Sequence, residues 1–195
     1  MNPTKPDYFV HATADVSPEA IIGPGTRIWH QAQVRERAHI GANCIVGKGA
    51  YVDFDVSIGS NVKIQNGVFV YHGVTIEDGV FLGPGVCLTN DKLPRAINPD
   101  GSLKSDADWQ VSPTLIKEGA SLGAGVVVLP GVTIGRFAMI GSGAVVTRDV
   151  PDHGLVYGNP ARLHGYVCHC GQVLTPVEGQ AGAWHCPACD KQIHL

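Results

Sequence analysis

Aliphatic side chains recur at every sixth position over most of this chain, and this period constrains the fold more than any other feature. Every sixth residue from Val10 to Leu88 is aliphatic, and the same spacing resumes from Ile116 to Val146. A small or β-branched residue usually stands four positions after the aliphatic one, and glycine often follows it directly. Neither an α-helix nor an ordinary strand repeats every six residues. A repeat architecture therefore has to be considered before any single element.

This period predicts an all-β fold, a parallel β-helix in which each hexapeptide supplies one short strand and one turn. Three hexapeptides close a triangular coil of eighteen residues, with the aliphatic side chain inside and the small one at the corner. Coils stack at about 4.8 Å through parallel backbone hydrogen bonds, and stability accumulates along the stack. The alternative, an antiparallel sandwich, needs period-two alternation and irregular turns. We expect residues 1–165 to form the β-helix and residues 166–195 a small appendage.

The period breaks between Leu88 and Ile116, in the polar segment "DKLPRAINPDGSLKSDADWQVSPT". Long loops on a rigid scaffold often carry function, and Trp109 with the pair Pro94 and Arg95 favours a loop that docks on another surface. A tolerated surface insertion is the alternative, because loop length costs little entropy. We expect a loop over about residues 91–114 that borders a functional site.

Residues eighteen apart lie in register on successive coils, which predicts vertical columns of outward side chains. Counting back from Asn90 gives His72, Phe54 and Glu36, each two positions past an inward aliphatic residue. Adjacent coils would bring His72 and Asn90 to about 5 Å at the backbone. A neighbouring column consists of His30, Lys48, Asn66 and Pro84. The first column, beside the loop, predicts a polar cleft, although a lone exposed histidine is more often ordinary surface.

The segment "GASLGAGVVVLPGVTIGRFAMIGSGAVVTRDVPDHGLVYGNPAR" carries a family resemblance, chiefly through its "DVP" and its closing "GNPAR". Residues 10 to about 165 resemble the hexapeptide-repeat acyltransferases. Within that family, "KIQNGVFVYHGV" and "FLGPGVCLTNDKLPRA" look most like the bacterial N-acetyltransferases of UDP-linked 3-amino sugars. The resemblance implies a left-handed parallel β-helix, a homotrimer with sites between subunits, and acetyl-CoA as co-substrate.

The resemblance also implies an activity and a substrate. The activity is acetylation of the 3-amino group of a UDP-linked 3-amino uronic acid, in the biosynthesis of a surface polysaccharide such as lipopolysaccharide O-antigen. An enzyme for dTDP-linked 3-amino-6-deoxy sugars, or an O-acetyltransferase, is the alternative within the family.

Two mechanisms for this chemistry stay open at the level of sequence. In the first, His72 accepts the amine proton as a general base. In the second, Asn90 orients the amine and the departing thiolate takes the proton. The "TND" at the start of the loop matches the family's amine-positioning residue at Asn90. A backbone N–H of Gly83 or Gly85 is the expected donor to the oxyanion.

The remaining candidates are expected to bind substrate or cofactor. Glu36 and Asn66 would contact sugar or nucleotide, and Lys92 and Arg95 would pair with diphosphate or the sugar carboxylate, although solvated loop charges are the commoner case. By resemblance, coenzyme A lies along the later coils, and the two arginines below would meet its phosphates. The residues expected to bind the cofactor are Gly83, Ala124, Gly141, Ser142, Arg148 and Arg162. An alternative role for "GNPAR" is to end the solenoid, since Pro160 cannot donate a ladder hydrogen bond.

The appendage holds two close cysteine pairs with 15 residues between them. They are Cys168 with Cys170, and Cys186 with Cys189. This arrangement is similar to a zinc ribbon, so we expect a structural zinc site, with His169 and His185 as alternative ligands because the first pair is unusually tight. Free thiols in a small β-hairpin are the alternative. A catalytic metal is not expected, because the pairs lie outside the solenoid.

Charge and composition disfavour other classes of protein. A net charge of -3 and a pI near 6.3 predict no nucleic-acid partner. The sequence contains no run of 18 apolar residues, so we predict no membrane-spanning helix. The segment "MNPTKPDYFV" has no apolar signal-peptide core. We therefore expect a cytoplasmic protein with no membrane partner. No two histidines on the solenoid are five apart, which disfavours a zinc carbonic anhydrase. The loop and the closing motif disfavour a scaffold without activity.

Overall fold

The chain winds into a β-solenoid with three short strands in each coil, as the six-residue period predicts. The computed structural model describes residues 7–195, and residues 1–6 of the predicted β-helix lie outside it. The coils build three sheets, here named A, B and C, of nine, seven and six strands. Strands on successive coils pair in parallel with a register of eighteen residues before the loop. The all-β parallel solenoid is therefore confirmed, and the left-handed sense of its coil stays a prediction.

Most strands are two residues long, and successive strands fall in sheets A, B and C in turn. Sheet A consists of β1 (Phe9–Val10), β4 (Arg27–Ile28), β7 (Ile45–Val46), β10 (Lys63–Ile64), β13 (Phe81–Leu82), β16 (Ser121–Leu122), β19 (Met139–Ile140), β21 (Gly154–Gly158) and β22 (Ala161–Tyr166). Sheet B consists of β2 (Asp15–Val16), β5 (Gln33–Val34), β8 (Tyr51–Val52), β11 (Phe69–Val70), β14 (Cys87–Leu88), β17 (Val127–Val128) and β20 (Val145–Val146). Sheet C consists of β3 (Ile21–Ile22), β6 (His39–Ile40), β9 (Ser57–Ile58), β12 (Val74–Ile76), β15 (Thr114–Ile116) and β18 (Thr133–Ile134).

The core is the stack of second strand residues that point into the prism. Ile28, Val46 and Ile64 lie above one another in sheet A and are 0% exposed. Burying one such side chain contributes about 1.5–3 kcal/mol. Val10 and Val16 in the first coil are only half-buried, because among the described residues only the following coil packs against them. The six-residue aliphatic period thus reflects one continuous core, to which each coil adds three inward side chains.

The interruption of the period is a loop at the corner between sheets B and C. The chain leaves β14 after Leu88 and re-enters at β15, which begins at Thr114, a residue that the sequence analysis placed in the loop. Within the loop, Ile97 and Leu103 form an antiparallel bridge and Asp106–Asp108 form a 3₁₀ turn. We call this corner of the prism the B–C edge, and the corner between sheets A and B the A–B edge.

The parallel stack ends at a hairpin. β21 extends sheet A beside β19, and β22 then pairs antiparallel with β21. The turn between β21 and β22 contains the cis peptide bond of Asn159–Pro160. The "GNPAR" segment therefore ends the solenoid, which is the alternative role named above.

The tail after β22 forms its own small antiparallel sheet. Its strands are β23 (Thr175–Pro176), β24 (Ala183–His185) and β25 (Gln192–His194). Its buried centre is Cys168, Leu174 and Cys186. The predicted boundary between residues 165 and 166 falls inside β22, and the division into two domains stays a prediction.

We expect the glycine that directly follows an aliphatic core residue to be needed for coil stacking. A Cβ on Gly41 would lie 2.7 Å from the backbone carbon and oxygen of Gly59 on the next coil. A Cβ on Gly49 would meet no atom within 4 Å, although Gly49 has φ +64. Gly41→Ala should therefore lower the free energy of unfolding by about 3 kcal/mol through overpacking. Gly49→Ala should lower it by about 1 kcal/mol through backbone strain.

Denaturant unfolding of the two variants, followed by circular dichroism, checks this prediction. Equal losses in the two variants, or a larger loss in Gly49→Ala, would contradict the stacking argument.

Candidate active site

The B–C edge carries the column that the sequence predicts. Val34, Val52, Val70 and Leu88 are in register in sheet B, so the residues two positions later stack along the edge. Leu88 then pairs with Val128, and Val128 with Val146, which continues the column past the loop. The complete column reads Glu36, Phe54, His72, Asn90, Pro130 and Arg148. Arg148, predicted as a phosphate contact, therefore shares an edge with His72 and Asn90.

His72 is held by the coil before it. Its ring stacks on the ring of Phe54 at 4.1 Å between centroids, with an angle of 14° between the planes. Its Nδ1 lies 3.1 Å from the backbone oxygen of Phe54. A carbonyl oxygen can only accept, so Nδ1 carries the hydrogen and donates it. In the neutral ring the lone pair is then on Nε2, which is the arrangement that a general base requires.

Asn90 is anchored on the same column. Its Nδ2 donates to the backbone oxygen of His72 at 3.2 Å, which also fixes which end of the carboxamide is the oxygen. Among residues 7–195, Oδ1 of Asn90 makes no hydrogen bond. This oxygen is therefore available to accept a hydrogen bond from an amine.

A buried carboxylate, Asp53, holds the backbone of this column in place and was not predicted as a site residue. Asp53 is 6% exposed. Its Oδ1 accepts from Arg35 at 3.1 Å, from the Tyr51 hydroxyl at 2.8 Å and from the N–H of Phe54 at 2.9 Å. Its Oδ2 accepts from the N–H of His72 at 3.1 Å. Arg35 and Asp53 directly follow the core residues Val34 and Val52, which pair on successive coils. The eighteen-residue spacing therefore places Arg35 and Asp53 side by side, as it does the residues one position later.

Glu36, expected to contact the substrate, already has a partner in this chain. Its carboxylate lies 2.6 Å from Nη2 of Arg35, and the Arg35 guanidinium lies 5.0 Å from the centre of the Phe54 ring. A hydrogen bond from its own backbone N–H, and then the Arg35 side chain, lower the pKa of Glu36 below its ordinary value. Glu36 thus stays ionised at neutral pH, and its contact with a substrate stays a prediction.

The loop begins at this column and returns beside it. Val111 packs on Gly73, and the N–H of Thr114 donates to the oxygen of Gly73 at 3.1 Å. The Lys92 side chain lies against Gly131 on the solenoid, with its Nζ 3.1 Å from the position that a Cβ on Gly131 would occupy. The loop therefore walls the part of the B–C edge that carries His72 and Asn90.

Lys92 and Arg148 come together at one cavity. The cavity has a volume of about 770 Å³ and lies between the loop and the coils after it, with Thr89 and Pro130 also lining it. Two carboxylates, Asp91 and Asp149, line the same cavity, and Asp149 accepts from the N–H of Thr133 at 2.7 Å. Lys92 and Arg148 are the groups there that could pair with a phosphate or carboxylate. Arg95 is exposed and donates to the oxygen of Pro94 at 3.1 Å. It lines a second cavity of about 730 Å³ on the loop, together with Lys92.

The other predicted cofactor residues lie on the A–B edge, away from this column. The N–H of Gly83 donates to Leu122, and that of Gly143 donates to Ala124, so these turns stack on one another. Tyr157 packs on Gly141 and pairs with Arg162 across the terminal hairpin. The candidates on the A–B edge are Asn66, Gly83, Ala124, Gly141, Ser142 and Arg162. A single chain therefore does not bring all the predicted residues into one site.

The expected oxyanion donors on the A–B edge already have hydrogen-bond partners. The N–H of Gly83 already donates to Leu122 at 2.8 Å, and that of Gly85 to Asn66 at 3.0 Å. Neither N–H is free to stabilise an oxyanion, because the strand ladder and the turn ladder use them. Asn66 itself accepts from the N–H of Lys48 at 2.9 Å, which is a turn-stabilising contact. The contacts of Gly83 with cofactor and of Asn66 with substrate stay predictions.

The four tail cysteines come together, although the first pair was expected to strain a shared site. Their sulfur atoms all lie within 4.8 Å of one another. The alternative histidine ligands are engaged elsewhere, since Nε2 of His185 lies 2.8 Å from Asp190 and His169 packs on Phe137.

In the part of the chain that the structure describes, no helix is long and apolar enough to cross a membrane.

Two family profiles match the solenoid. The one described as bacterial transferase hexapeptide (six repeats) matches residues 19–53, 55–90 and 113–148, which is more than half of the chain. The one described as hexapeptide repeat of succinyl-transferase matches residues 37–72. Both leave out the loop and the tail.

Individual proteins are similar over different lengths. The dTDP-3-amino-3,6-dideoxy-alpha-D-galactopyranose 3-N-acetyltransferase of Aneurinibacillus thermoaerophilus is 54% identical over 68 residues, 35% of each chain. The acetyltransferase domain of PglB from Neisseria gonorrhoeae FA1090, solved with acetyl coenzyme A, is 25% identical with a TM-score of 0.51 over 81% of this chain and 58% of that one. AntD, an N-acyltransferase from Bacillus cereus solved with dTDP and coenzyme A, shares the fold, with 14% identity and a TM-score of 0.54 over 82% of each chain. The match to the curated relative thus spans about a third of its length.

Proposed function

Because this chain belongs to the bacterial transferase hexapeptide family, we propose that it transfers the acetyl group of acetyl-CoA to the amino group of a nucleotide-linked amino sugar. The observation that carries the proposal is the pairing of His72 and Asn90 on the B–C edge, where the loop begins. The names of the relatives support it, since one is an N-acetyltransferase of a dTDP-linked 3-amino sugar and another was solved with acetyl coenzyme A.

The proposed chemistry needs a base and an orienting group. Oδ1 of Asn90 accepts a hydrogen bond from the sugar amine and aims its lone pair at the thioester carbonyl carbon. The amine forms the C–N bond, Nε2 of His72 takes its proton, and the C–S bond breaks to release the thiolate, which the proton then neutralises. Holding the two reactants together supplies up to about 7–11 kcal/mol, and the base adds a factor of about 10²–10⁴. The tautomer of His72 favours this route over proton transfer directly to the thiolate.

Anion binding is assigned to two individual cations, since Asp91 and Asp149 balance the net charge of the cavity. Lys92 and Arg148 border the same cavity beside Asn90, so we assign them to phosphate groups, those of the nucleotide at Lys92 and those of coenzyme A at Arg148. Arg95 and Glu36 then contact the sugar or its carboxylate. The acceptor we prefer is a UDP-linked 3-amino uronic acid of surface-polysaccharide biosynthesis. A dTDP-linked 3-amino-6-deoxy sugar is the second candidate, which the printed substrate of the relative from A. thermoaerophilus favours.

A homotrimer would join the two edges into one site. The outward residues of sheet B are polar in its first two strands, at Asp15 and Gln33. In the later strands they form an apolar column of Tyr51, Phe69, Cys87, Val127 and Val145. The outward residues of sheet C are mostly polar, as at His39, Ser57, Thr75 and Thr133. Three B faces packed around a threefold axis would set the B–C edge of each chain beside the A–B edge of its neighbour. Coenzyme A would then lie between subunits, with His72 and Asn90 from one and Ala124, Gly141 and Ser142 from the next.

The test is release of free coenzyme A thiol from acetyl-CoA with a panel of acceptors. The panel contains a UDP-3-amino uronic acid, a dTDP-3-amino-6-deoxyhexose and simple amines without a nucleotide, and each sugar is paired with its 3-hydroxy analogue. We expect turnover with a nucleotide-linked amino sugar and none with its hydroxy analogue. Turnover confined to acceptors without a nucleotide sugar would overturn the substrate class, and turnover of the hydroxy analogue would point to an O-acetyltransferase.

A further inference from the structure

The tail holds a cluster of four thiols that the acetyl-transfer site does not use. Cys168 lies 3.5 Å from Cys189, and Cys170 lies 3.5 Å from Cys186, measured between sulfur atoms. All four sulfur atoms lie within 4.8 Å of one another. Zinc bound by four thiolates at about 2.3 Å places the sulfur atoms about 3.8 Å apart. The thiol cluster already has the spacing of a tetrahedral metal site.

The backbone around the cluster consists of two tight turns that present these sulfurs. In the first, the N–H of Gly171 donates to the oxygen of Cys168 at 2.8 Å. In the second, the N–H of Asp190 donates to the oxygen of Cys186 at 3.0 Å. The buried centre of the tail is Cys168, Leu174 and Cys186, with Tyr166, Trp184 and Ile193 packed against it. Apolar cores of this size are usually supplemented by a metal or another crosslink.

We propose that Cys168, Cys170, Cys186 and Cys189 bind one zinc ion, and that this ion fastens the tail to the end of the solenoid. Zinc displaces the thiol protons to solvent as it binds. Tetrahedral ligation by four sulfurs suits zinc and iron. We assign zinc because two close cysteine pairs are a usual ligand set of structural zinc sites.

The residue between the first two ligands is what joins the zinc site to the solenoid. The ring of His169 lies 4.2 Å from the ring of Phe137 and 4.8 Å from that of His153, measured between centroids. The N–H of Val167 donates to the oxygen of His153 at 2.7 Å, and Nδ1 of His153 lies 2.8 Å from the oxygen of Val167. The tight Cys-x-Cys spacing thus places one docking side chain between two metal ligands. Fixing both ligands fixes this side chain against the last turns of sheet C.

Metal analysis of the purified full-length chain tests the ligand set. We expect one zinc per chain by inductively coupled plasma mass spectrometry, and loss of that zinc in the double variant Cys186→Ser with Cys189→Ser. Cys87→Ser is the matched control, because Cys87 is a half-buried thiol on the outward side of sheet B, and it should keep one zinc. One iron per chain, or two disulfides detected by mass spectrometry without reduction, would overturn the assignment.

Hydrogen exchange tests the fastening and does not depend on the acetyltransferase proposal. Removing zinc with a chelator should speed exchange at the amides of Val167 and Leu174 by tenfold or more, while the amides of β10 and β13 stay protected. His169→Ala should keep one zinc and still speed exchange at Val167. Zinc that can be removed with no change at these amides would show that the ion does not hold the tail to the solenoid.

Discussion

Replacing His72 with Asn is expected to lower kcat by about 10²–10⁴, the range that a general base contributes, with little change in KM. Asn keeps an N–H donor near the position of Nδ1, so the hydrogen bond to the oxygen of Phe54 can survive the change. What is lost is Nε2, the basic nitrogen. The shape of the pH–rate profile should also differ between the variant and the native chain, since a general base contributes to that profile. Steady-state kinetics with acetyl-CoA and the best acceptor, measured across pH, check both effects.

His39→Asn is the matched control for this substitution. His39 is an exposed histidine on a strand of sheet C, and its replacement should leave kcat and the pH profile unchanged. Unchanged turnover and pH profile in His72→Asn itself would contradict the general-base role. It would leave orientation by Asn90, with the departing thiolate as proton acceptor. Asn90→Ala is expected to lose activity under either mechanism, so that variant does not decide between them.

The fold could be predicted from sequence because its core has one repeating rule. Every coil must put an aliphatic side chain into a prism that is narrow enough to exclude water, so Ile28, Val46 and Ile64 had to appear at fixed spacing. The same spacing fixes which residues stack on the outside. For this reason Glu36, Phe54, His72 and Asn90 could be placed on one edge before any coordinates were known.

The contacts within that edge could be predicted less well. Arg35 and Asp53 stand one position after a core residue, where side chains lie partly under the turn, and a search for outward columns passes over them. Asp53 is buried because four donors compensate its charge, and a burial of this kind cannot be read from a lone Asp in a polar turn. The hydrogen bonds that occupy Gly83 and Gly85 were missed for a related reason, since backbone donors have no sequence signature.

The conformations of the loop and the tail could not be predicted from the six-residue period, because neither segment has that repeat. The sequence of residues 91–113 does not fix which residues of the loop lie against which coil. The contact of the Lys92 side chain with Gly131 therefore depends on tertiary packing. In the tail, the Cys-x-Cys pair argued against a shared site on spacing grounds. The two turns at Cys168 and Cys186 nevertheless bring all four sulfurs together, because β23, which follows the first pair, is paired with β24, which precedes the second.

Mixing two inactive variants is expected to restore activity, if the site is built from the B–C edge of one chain and the A–B edge of the next. His72→Asn damages the first edge only. Ala124→Trp fills the second edge only, since Ala124 is exposed at a turn there. Each variant alone should have less than about 1% of native kcat. Random co-assembly into trimers leaves one site in four with both edges native, so the mixture should recover about a quarter of native turnover.

The control mixture combines His72→Asn with Asn90→Ala, which lie on the same edge. Every site in such a trimer then takes its B–C edge from a damaged chain, so no arrangement of subunits restores a native pair and turnover should stay at the level of the single variants. Native mass spectrometry establishes that mixed trimers form in both mixtures. Recovery in neither mixture, with mixed trimers present, would mean that the A–B edge of a neighbour contributes nothing to the site. The two edges of a single chain would then have to form the site. Full activity of Ala124→Trp on its own would instead place coenzyme A along the B–C edge, where Lys92 and Arg148 border one cavity.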